Sequence, residues 1–299
     1  MKTYLSFDVG GTFIKWGVIN ASGEILSNGA VETPGNYQDF LDTINDIYKL
    51  SNDVSATAMA FPGVCDLSAG KVIYTPNIVY LRDKNIVDDV KAISDCHCFI
   101  ANDANMAALG EYRFGQKGHI DNMVFITLGT GVGGGAVVNG MLFRGKISPF
   151  EIGHIVITVD GRLCGCGRRG CFETYCNTGS IMLEYEQLIG KPHNLTPFDI
   201  YKLAKKGNKI AKTVFDIYAY YLAQGLVNVA NVFVPEIIKL GGGICEMKDV
   251  YLGKCMEHFN KMIYPAYRGL VKVEIATLKN MAGILGGAAL CIEKMLDYA

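Results

Sequence analysis

A strand, a glycine-rich turn and a second strand occur twice in this chain, and this repeat constrains the fold more than any other feature of the sequence. In the first copy, alternating apolar residues at positions 5–9 lead through Gly10-Gly11-Thr12 into residues 13–18. In the second copy, residues 123–128 lead through the glycine-rich residues 129–135 into residues 136–138, and Asn139-Gly140 is typical of a tight turn into a further strand. The repeat predicts an internally duplicated chain.

The glycines of these two turns suit either of two roles. Without a Cβ, a glycine turn lets backbone N–H groups approach phosphate oxygens closely, so two such turns could clamp one polyphosphate. Lys15 and Thr130 would supply further donors for phosphates, and Asp8 could hold a hydrated Mg²⁺. Each turn could instead be only a tight hairpin connection. The presence of both turns favours nucleotide binding.

Length and composition favour a two-domain protein with a small-molecule ligand. The 299 residues are 50% apolar, and the formal net charge is −1, which argues against nucleic acid or an anionic membrane as the partner. Asp8 and the glycines after it interrupt the first apolar run, so we see no secretion signal. Polar residues also interrupt positions 217–234, which favours a buried helix over a membrane span. We therefore expect a cytosolic protein whose ten cysteines are reduced thiols.

Further patterns place helices and strands between and after the two copies. We predict an amphipathic helix over 39–50, a strand over 56–61, a loop-rich stretch up to Leu81, a strand over 98–101 and a helix that opens at 102–105 and continues through 106–113. Later helices are predicted over 181–189, 197–205, 209–231 and 281–296, and a strand over 236–240. That strand ends at Gly241-Gly242-Gly243, which suits either close approach to a flat ligand such as adenine or a plain strand-to-helix turn.

Asn102 and Asp103 lie where a predicted strand gives way to a helix. Either residue could be only the N-cap of that helix, because Asn and Asp are common there. A carboxylate at a strand end beside a phosphate clamp is also where a general base for a substrate hydroxyl would lie. Both roles stay open at this point.

A histidine and three cysteines follow the second copy with the spacing His-x9-Cys-x-Cys-x4-Cys, and they are His154, Cys164, Cys166 and Cys171. Three thiolates and one imidazole match the four ligands of a structural zinc site, and glycines in the loop would let it fold around the ion. Such a closed site leaves no position for an activated water, so zinc would shape the loop and not perform hydrolysis. The alternatives are a chance cluster and a zinc ribbon for nucleic acid, for which Arg168 and Arg169 would be suited.

Taken together, these motifs resemble the ROK family (repressors, open reading frames and sugar kinases) from end to end. Asp8-Val9-Gly10-Gly11-Thr12 with Lys15 is similar to the first phosphate motif of the family, Gly129-Thr130-Gly131-Val132-Gly133-Gly134 to the second, and Gly241-Gly242-Gly243 to the adenosine motif. The run Glu151-x-Gly153-His154 followed by Cys164-x-Cys166-Gly167-x-x-Gly170-Cys171-x-Glu173 is similar to the family signature. Asn102-Asp103 falls where the family has its sugar-binding Asn and catalytic Asp.

The resemblance implies an α/β architecture with the actin-like ATPase (ribonuclease H-like) fold, in which the active site lies in a cleft between two domains. The expected domains are residues 1–117, joined by a C-terminal helix over 283–299, and residues 118–282 with a small zinc-binding loop over 154–171. The resemblance also implies ATP as the phosphoryl donor, Mg²⁺, a structural Zn²⁺ and a homodimer.

The resemblance further implies a role for each residue of the site. Asp103 would accept the proton of a primary sugar hydroxyl as that hydroxyl attacks the γ-phosphate. Sugar contacts are expected from Gly63, Asn77, Asn102, Asp103, Glu151, His154 and Glu173. Nucleotide contacts are expected from Asp8, Gly10, Gly11, Thr12, Lys15, Thr130, Gly131, Gly133 and Gly242. His154 would ligate zinc through one nitrogen and offer the other to the sugar, so the metal would organise the sugar site.

Among the kinases of the family, the chain is most similar to the β-glucoside kinases, so the expected reaction is ATP-dependent phosphorylation of the 6-hydroxyl of glucose in disaccharides such as cellobiose. Glucokinase and N-acetylmannosamine kinase are the alternatives. Where many relatives have a Pro-Gly-Trp-like run after Pro76-Asn77-Ile78, this chain has Val79-Tyr80-Leu81, so the wall near the sugar differs.

Two other classes of function are disfavoured. A sugar-sensing transcriptional regulator would carry a winged-helix segment before the first phosphate motif, whereas the first strand here is expected within a few residues of Met1. A nucleotide-binding protein without catalysis is disfavoured because Asp103 and both phosphate turns are present.

Overall fold

The structure is a computed structural model that describes residues 2–51, 53–94, 96–116 and 118–296. The strands in these residues are β1 (Thr3–Val9), β2 (Phe13–Asn20), β3 (Ile25–Glu32), β4 (Ala56–Phe61), β5 (Val64–Asp66), β6 (Lys71–Tyr74), β7 (Lys84–Asn85), β8 (His97–Asn102), β9 (Met123–Leu128), β10 (Val132–Val138), β11 (Met141–Leu142), β12 (Ile237–Gly241) and β13 (Lys272–Ile275). The α-helices are α1 (Tyr37–Leu50), α2 (Ile86–Ser94), α3 (Asp103–Gly110), α4 (Glu173–Cys176), α5 (Thr178–Ile189), α6 (Pro197–Lys205), α7 (Lys209–Phe233), α8 (Leu252–Met262) and α9 (Ala282–Leu296).

The first of two compact units comprises Met1–Asp121, Gly135–Phe150 and Ala276–Ala299. Its main sheet has the strand order β3-β2-β1-β4-β8, in which β1, β4 and β8 are parallel and β2 and β3 are antiparallel. Every residue of β4 is buried, as expected for a central strand covered on both faces. Helix α9 packs on β1, β4 and α3, and its glycines permit this, because a Cβ on Gly287 would lie 1.9 Å from Ser6 Oγ.

The second unit comprises Asn122–Gly134 and Glu151–Ile275. Strand β12 is parallel to both β9 and β13, and all five of its residues are buried. Helix α7 packs against α4, α5, α6 and α8, and it covers most of the uncharged run that the sequence assigned to a buried helix. Within the described residues, no helix combines the length and apolar character that a bilayer span requires.

Both predicted strand–turn–strand copies are present, but the second glycine turn is shorter than predicted. Strand β10 begins at Val132, so the last glycines of the predicted turn lie in a strand. A Cβ on Gly134 would lie 2.8 Å from the carbonyl oxygen of Phe125, and a Cβ on Gly135 would lie 2.7 Å from the Cβ of Ala108. Gly134 and Gly135 therefore allow close packing of a strand. From the sequence alone, glycines that serve this purpose look the same as glycines in a turn.

The stretch before Leu81 was predicted to be rich in loops, and this was wrong in part. It contains β5 and β6, which form a small antiparallel sheet with β7. These strands have three, four and two residues, which is too short for an alternating pattern to be read from the sequence.

The helix predicted to open at 102–105 and to continue through 106–113 begins at Asp103, as expected, but its last part differs from an α-helix. After α3 the backbone widens into a π-helical turn over Glu111–Gly115. Glu111 is fully buried there, and its carboxylate accepts hydrogen bonds from the backbone N–H groups of Thr277 at 2.7 Å and Leu278 at 3.0 Å. The partners lie more than 160 residues away, so no local pattern could report this turn.

The compact units divide the chain differently from the predicted domains, residues 1–117 and 118–282. The first unit extends to Asp121, includes Gly135–Phe150 and resumes at Ala276, a few residues before the predicted helix 283–299. The middle segment is grouped with the first unit, and a backbone hydrogen bond of 2.8 Å from Ser148 to the carbonyl of Cys65 is one of the contacts that join them. The later segments belong to the first unit because of long-range contacts, which the local sequence does not indicate.

Candidate functional site

The first glycine turn joins β1 to β2 in the first unit. The backbone N–H of Gly10 donates to the carbonyl of Phe13 at 2.9 Å, and the backbone N–H of Thr33 donates to the carbonyl of Thr12 at 2.9 Å. Thr12 and Lys15 are exposed, as groups that bind a phosphate would be. The turn is thus fixed by backbone hydrogen bonds and leaves these side chains accessible.

Asn77 lies against this turn. A Cβ on Gly11 would lie 3.1 Å from the Cβ of Asn77, so the turn and the residue predicted to contact sugar touch at this point. The structure therefore brings together Gly11 and Asn77, which are far apart in the sequence. A side chain at position 11 would require Asn77 to move by a few tenths of an ångström.

Asp8 is partly buried near the end of β1, directly opposite Lys15 in the antiparallel register. Burial raises the pKa of Asp8, and the Lys15 ammonium group partly opposes this. A Cβ on Gly283 would lie 3.0 Å from Asp8 Oδ2, so the first turn of α9 also approaches the carboxylate. Nothing in the sequence near Gly283 indicates this contact with Asp8.

The start of α3 holds Asn102, Asp103 and Gly63 together. Asn102 is the N-cap of the helix, since its Oδ1 accepts a hydrogen bond from the backbone N–H of Asn105 at 3.0 Å. Its Nδ2 donates to the carbonyl of Gly63 at 2.9 Å, and Gly63 has a φ of +96° that favours glycine. Asp103 is the first residue of the helix, and its Oδ1 accepts from the N–H of Ala104 at 2.8 Å. The N-cap role considered for both residues is thus confirmed for Asn102.

Glu173 lies against the second glycine turn. Its Oε2 accepts a hydrogen bond from the backbone N–H of Val132 at 3.2 Å. A Cβ on Gly131 would lie 2.5 Å from the same oxygen, so this glycine makes room for the carboxylate. Thr130 at the turn is exposed, whereas Gly133, predicted to contact nucleotide, lies within β10.

Glu151 and His154 flank a short 3₁₀ turn in the second unit, where the N–H of His154 donates to the carbonyl of Glu151 at 3.1 Å. Partial desolvation raises the pKa of the Glu151 carboxyl, His154 opposes this and the Glu173 carboxylate adds to it. Glu151, His154 and Glu173 therefore lie close enough to interact electrostatically, and their role in binding hydroxyl groups stays a prediction.

The ligand atoms of His154, Cys164, Cys166 and Cys171 all lie within 4.8 Å of one another. Cys166 Sγ is 3.7 Å from Cys171 Sγ, and Cys164 Sγ is 3.6 Å from His154 Nδ1. A tetrahedral ion with Zn–S of about 2.3 Å and Zn–N of about 2.0 Å would separate its ligands by about 3.8 Å between sulfurs and about 3.5 Å between sulfur and nitrogen. The donor set and the spacing therefore fit a zinc ion, with Nδ1 as the histidine ligand.

The loop of this cluster is shaped by glycines with positive φ. Gly167 has a φ of +88° and Gly170 has a φ of +80°, and a Cβ on Gly170 would lie 1.6 Å from the carbonyl oxygen of Thr158. Cys164 N donates to the carbonyl of Arg168 at 2.8 Å, which closes the loop between two ligands. Arg168 also donates to the carbonyl of His154, so this arginine has a structural contact of its own.

The third glycine turn follows β12. Gly242 has a φ of +90°, and a Cβ there would lie 2.3 Å from the carbonyl oxygen of Leu128. At Gly243 a Cβ would meet no atom within 4 Å. The first of these positions is therefore closed to a side chain by protein packing, whereas the second is open space that a ligand could fill.

Comparisons with known proteins extend this geometry. A profile of the ROK family matches residues 4–294. The glucokinase of Halalkalibacterium halodurans is 34% identical over 310 residues, which cover 96% of this chain and 94% of that protein. A crystal structure of a ROK family glucokinase from Streptomyces griseus, in complex with glucose and AMPPNP, is 31% identical, has a TM-score of 0.80 and covers 96% of this chain and 98% of its own.

The ROK hexokinase from Thermus thermophilus has a TM-score of 0.87 at 25% identity, with 99% of each chain covered. The fold is thus the predicted actin-like ATPase fold. The match to the family profile extends over nearly all of the sequence and includes each of the three glycine turns and the His/Cys cluster. The chain therefore belongs to the ROK family.

Proposed function

We propose that this chain is a glucokinase, which transfers the γ-phosphoryl group of ATP to the 6-hydroxyl of glucose. The general activity, ATP-dependent phosphorylation of a sugar, follows from membership of the family together with its glucokinase and hexokinase relatives. The choice of glucose rests on the same relatives, which favour this alternative over the β-glucosides that we expected first.

The observation that carries the proposed chemistry is the division of roles at the start of α3. Asn102 caps the helix, so Asp103 is not needed for that purpose. A carboxylate at the start of a helix interacts favourably with the partial positive charge of that helix end. Asp103 would accept the proton of the sugar hydroxyl, while the phosphate turns and Mg²⁺ hold the nucleotide in line. Positioning then supplies most of the rate enhancement.

The carboxylates of Glu151 and Glu173 would bind ring hydroxyls of the sugar. The bond from Val132 N–H holds Glu173 in place, and ligation of zinc through Nδ1 would leave Nε2 of His154 for a hydroxyl. The zinc ion would supply no chemistry to the transfer, because four protein ligands fill its coordination sphere. Asn102, Gly63 and Asn77 would complete the contacts with sugar.

The substrate is tested by coupled ADP release with glucose, cellobiose and N-acetylmannosamine, compared by kcat/KM. We expect glucose to give the highest value. A higher value for cellobiose would support the β-glucoside kinase assignment instead, and a higher value for N-acetylmannosamine would support the third candidate. Absence of turnover with every hexose, hexosamine and β-glucoside would reject the proposed activity.

The role of Asp103 is tested with Asp103→Asn. We expect kcat to fall about 10²- to 10⁴-fold, because the general base is lost, while glucose still binds in calorimetry. Asp39→Asn is the matched control, since Asp39 also lies in the first turn of a helix that is capped by an asparagine. Equal losses in the two variants would contradict the assignment.

The homodimer expected from the family resemblance stays a prediction, which sedimentation analysis of the purified protein would test.

A further inference from the structure

Residues 147–150 connect the β10–β11 hairpin to Glu151, and they are fastened to the first unit by hydrogen bonds. The backbone of Ile147 forms an antiparallel bridge with Asp66 at the end of β5. Ser148 N donates to the carbonyl of Cys65 at 2.8 Å, Cys65 N donates to Ser148 Oγ at 3.0 Å, and Ser148 Oγ donates to the Cys65 carbonyl at 3.2 Å. Both residues are buried. Ser148 therefore satisfies both backbone polar groups of Cys65.

Residues 63–65, to which Ser148 is hydrogen-bonded at Cys65, are also hydrogen-bonded to the start of α3. Cys65 is two residues after Gly63, whose carbonyl accepts the hydrogen bond from Asn102 at the start of that helix. The same helical turn also bonds directly to the segment 147–150, because Asn105 Nδ2 donates a hydrogen bond to the carbonyl of Pro149 at 3.3 Å. Segment 147–150 is thus anchored twice to the turn that carries Asp103.

The anchored segment ends where the chain leaves the first unit. Phe150 is the last residue of that unit in this part of the chain, and Glu151 is the first of the second unit. Phe150 has a φ of +80°, which is unusual for a bulky residue and persists only when the neighbouring backbone is held firmly. The hydrogen bonds between Ser148 and Cys65 fix the backbone two residues before Phe150.

We propose that Ser148 is a positioning residue for sugar phosphorylation, which holds residues 147–150 and with them the backbone that leads into Glu151. This inference rests on the proposed function, in which Glu151 binds the sugar and Asp103 takes its proton. Ser148 itself needs no contact with either substrate. Its hydroxyl acts through Cys65 and Gly63 on one side and through Phe150 on the other.

The test is Ser148→Ala, assayed for KM of glucose, KM of ATP and kcat. Loss of the hydroxyl leaves the buried N–H of Cys65 without its partner, so the segment shifts. We expect KM for glucose to rise about tenfold while KM for ATP changes little, and the melting temperature to fall, because an unpaired buried N–H lowers the free energy of unfolding. Ser148→Thr retains the hydroxyl and should restore the KM for glucose. The matched control is Ser94→Ala, which removes another buried serine hydroxyl, hydrogen-bonded to Val90 in α2.

Three results would overturn the inference: an unchanged KM for glucose in Ser148→Ala, an equal rise in Ser94→Ala, or a loss of activity that follows the melting temperature and is not restored by Ser148→Thr. The parallel measurement of Asp103→Asn separates this inference from the proposed function. Loss of turnover in Asp103→Asn with no effect of Ser148→Ala rejects the positioning role alone. Full turnover in Asp103→Asn rejects the proposed function on which it rests.

Discussion

Gly131→Ala tests whether the second glycine turn also sets the position of the Glu173 carboxylate, which we propose binds the sugar. The new Cβ would lie 2.5 Å from Glu173 Oε2, well inside van der Waals contact, so the carboxylate must move away. Movement breaks the hydrogen bond from Val132 N–H, which is 3.2 Å long and is made to a charged acceptor. Such bonds contribute about 1.5–3 kcal/mol, which corresponds to a change of about 10- to 140-fold in an equilibrium constant.

We therefore expect the KM for glucose to rise by up to that factor in Gly131→Ala. The assay is initial-rate ADP release with glucose varied at saturating ATP, repeated with ATP varied. Gly129→Ala is the matched control, because a Cβ at Gly129 meets no atom within 4 Å and the residue lies in the same turn. A KM for glucose that agrees within twofold between the two variants would refute the reasoning. Glu173→Gln should resemble Gly131→Ala in its effect on glucose.

Three further results are expected. Cys171→Ser should reduce bound zinc to well below one ion per chain and lower the melting temperature, and metal analysis that finds no zinc in the wild-type protein would contradict the site. Gly242→Ala should destabilise the fold by about 1–3 kcal/mol in urea unfolding, because of its positive φ and the contact with Leu128, whereas Gly243→Ala should unfold like the wild type. Burial raises the pKa of Asp8, so the folded chain holds this proton to higher pH than the unfolded chain, and stability is lost as the pH rises through the folded pKa. Asp8→Asn should therefore melt at a higher temperature than the wild type at pH 7, although it loses activity. The difference in melting temperature should shrink as the pH falls towards about 4. A difference that stays constant with pH would contradict the raised pKa of Asp8.

The sequence predicted those parts of the site whose residues lie close together along the chain. His154 and the three cysteines have the spacing of a zinc site within eighteen positions, and their ligand atoms do cluster. Asp103 was placed at a strand-to-helix junction, and β8 and α3 meet there. These motifs are local, so the residues and their spacing carry enough information.

The parts that the sequence did not predict depend on distant partners. Ser148 contacts Cys65 across 83 residues, and Glu111 contacts Thr277 across 166 residues. Gly131 was assigned to phosphate alone, whereas its lack of a side chain also accommodates Glu173. A glycine records only that a side chain is excluded, and the reason for the exclusion appears once the chain has folded.

The position of α9 has a consequence for biosynthesis. The helix covers β1 and β4 of the first unit, but it comes much later in the chain and therefore leaves the ribosome long after them. Until residues near Gly287 emerge, strands made at the beginning of synthesis keep an apolar surface exposed to water. A fragment that ends at Asp121 should accordingly aggregate or bind chaperones, and adding residues 276–299 as a separate peptide should rescue it only if the middle segment is supplied as well.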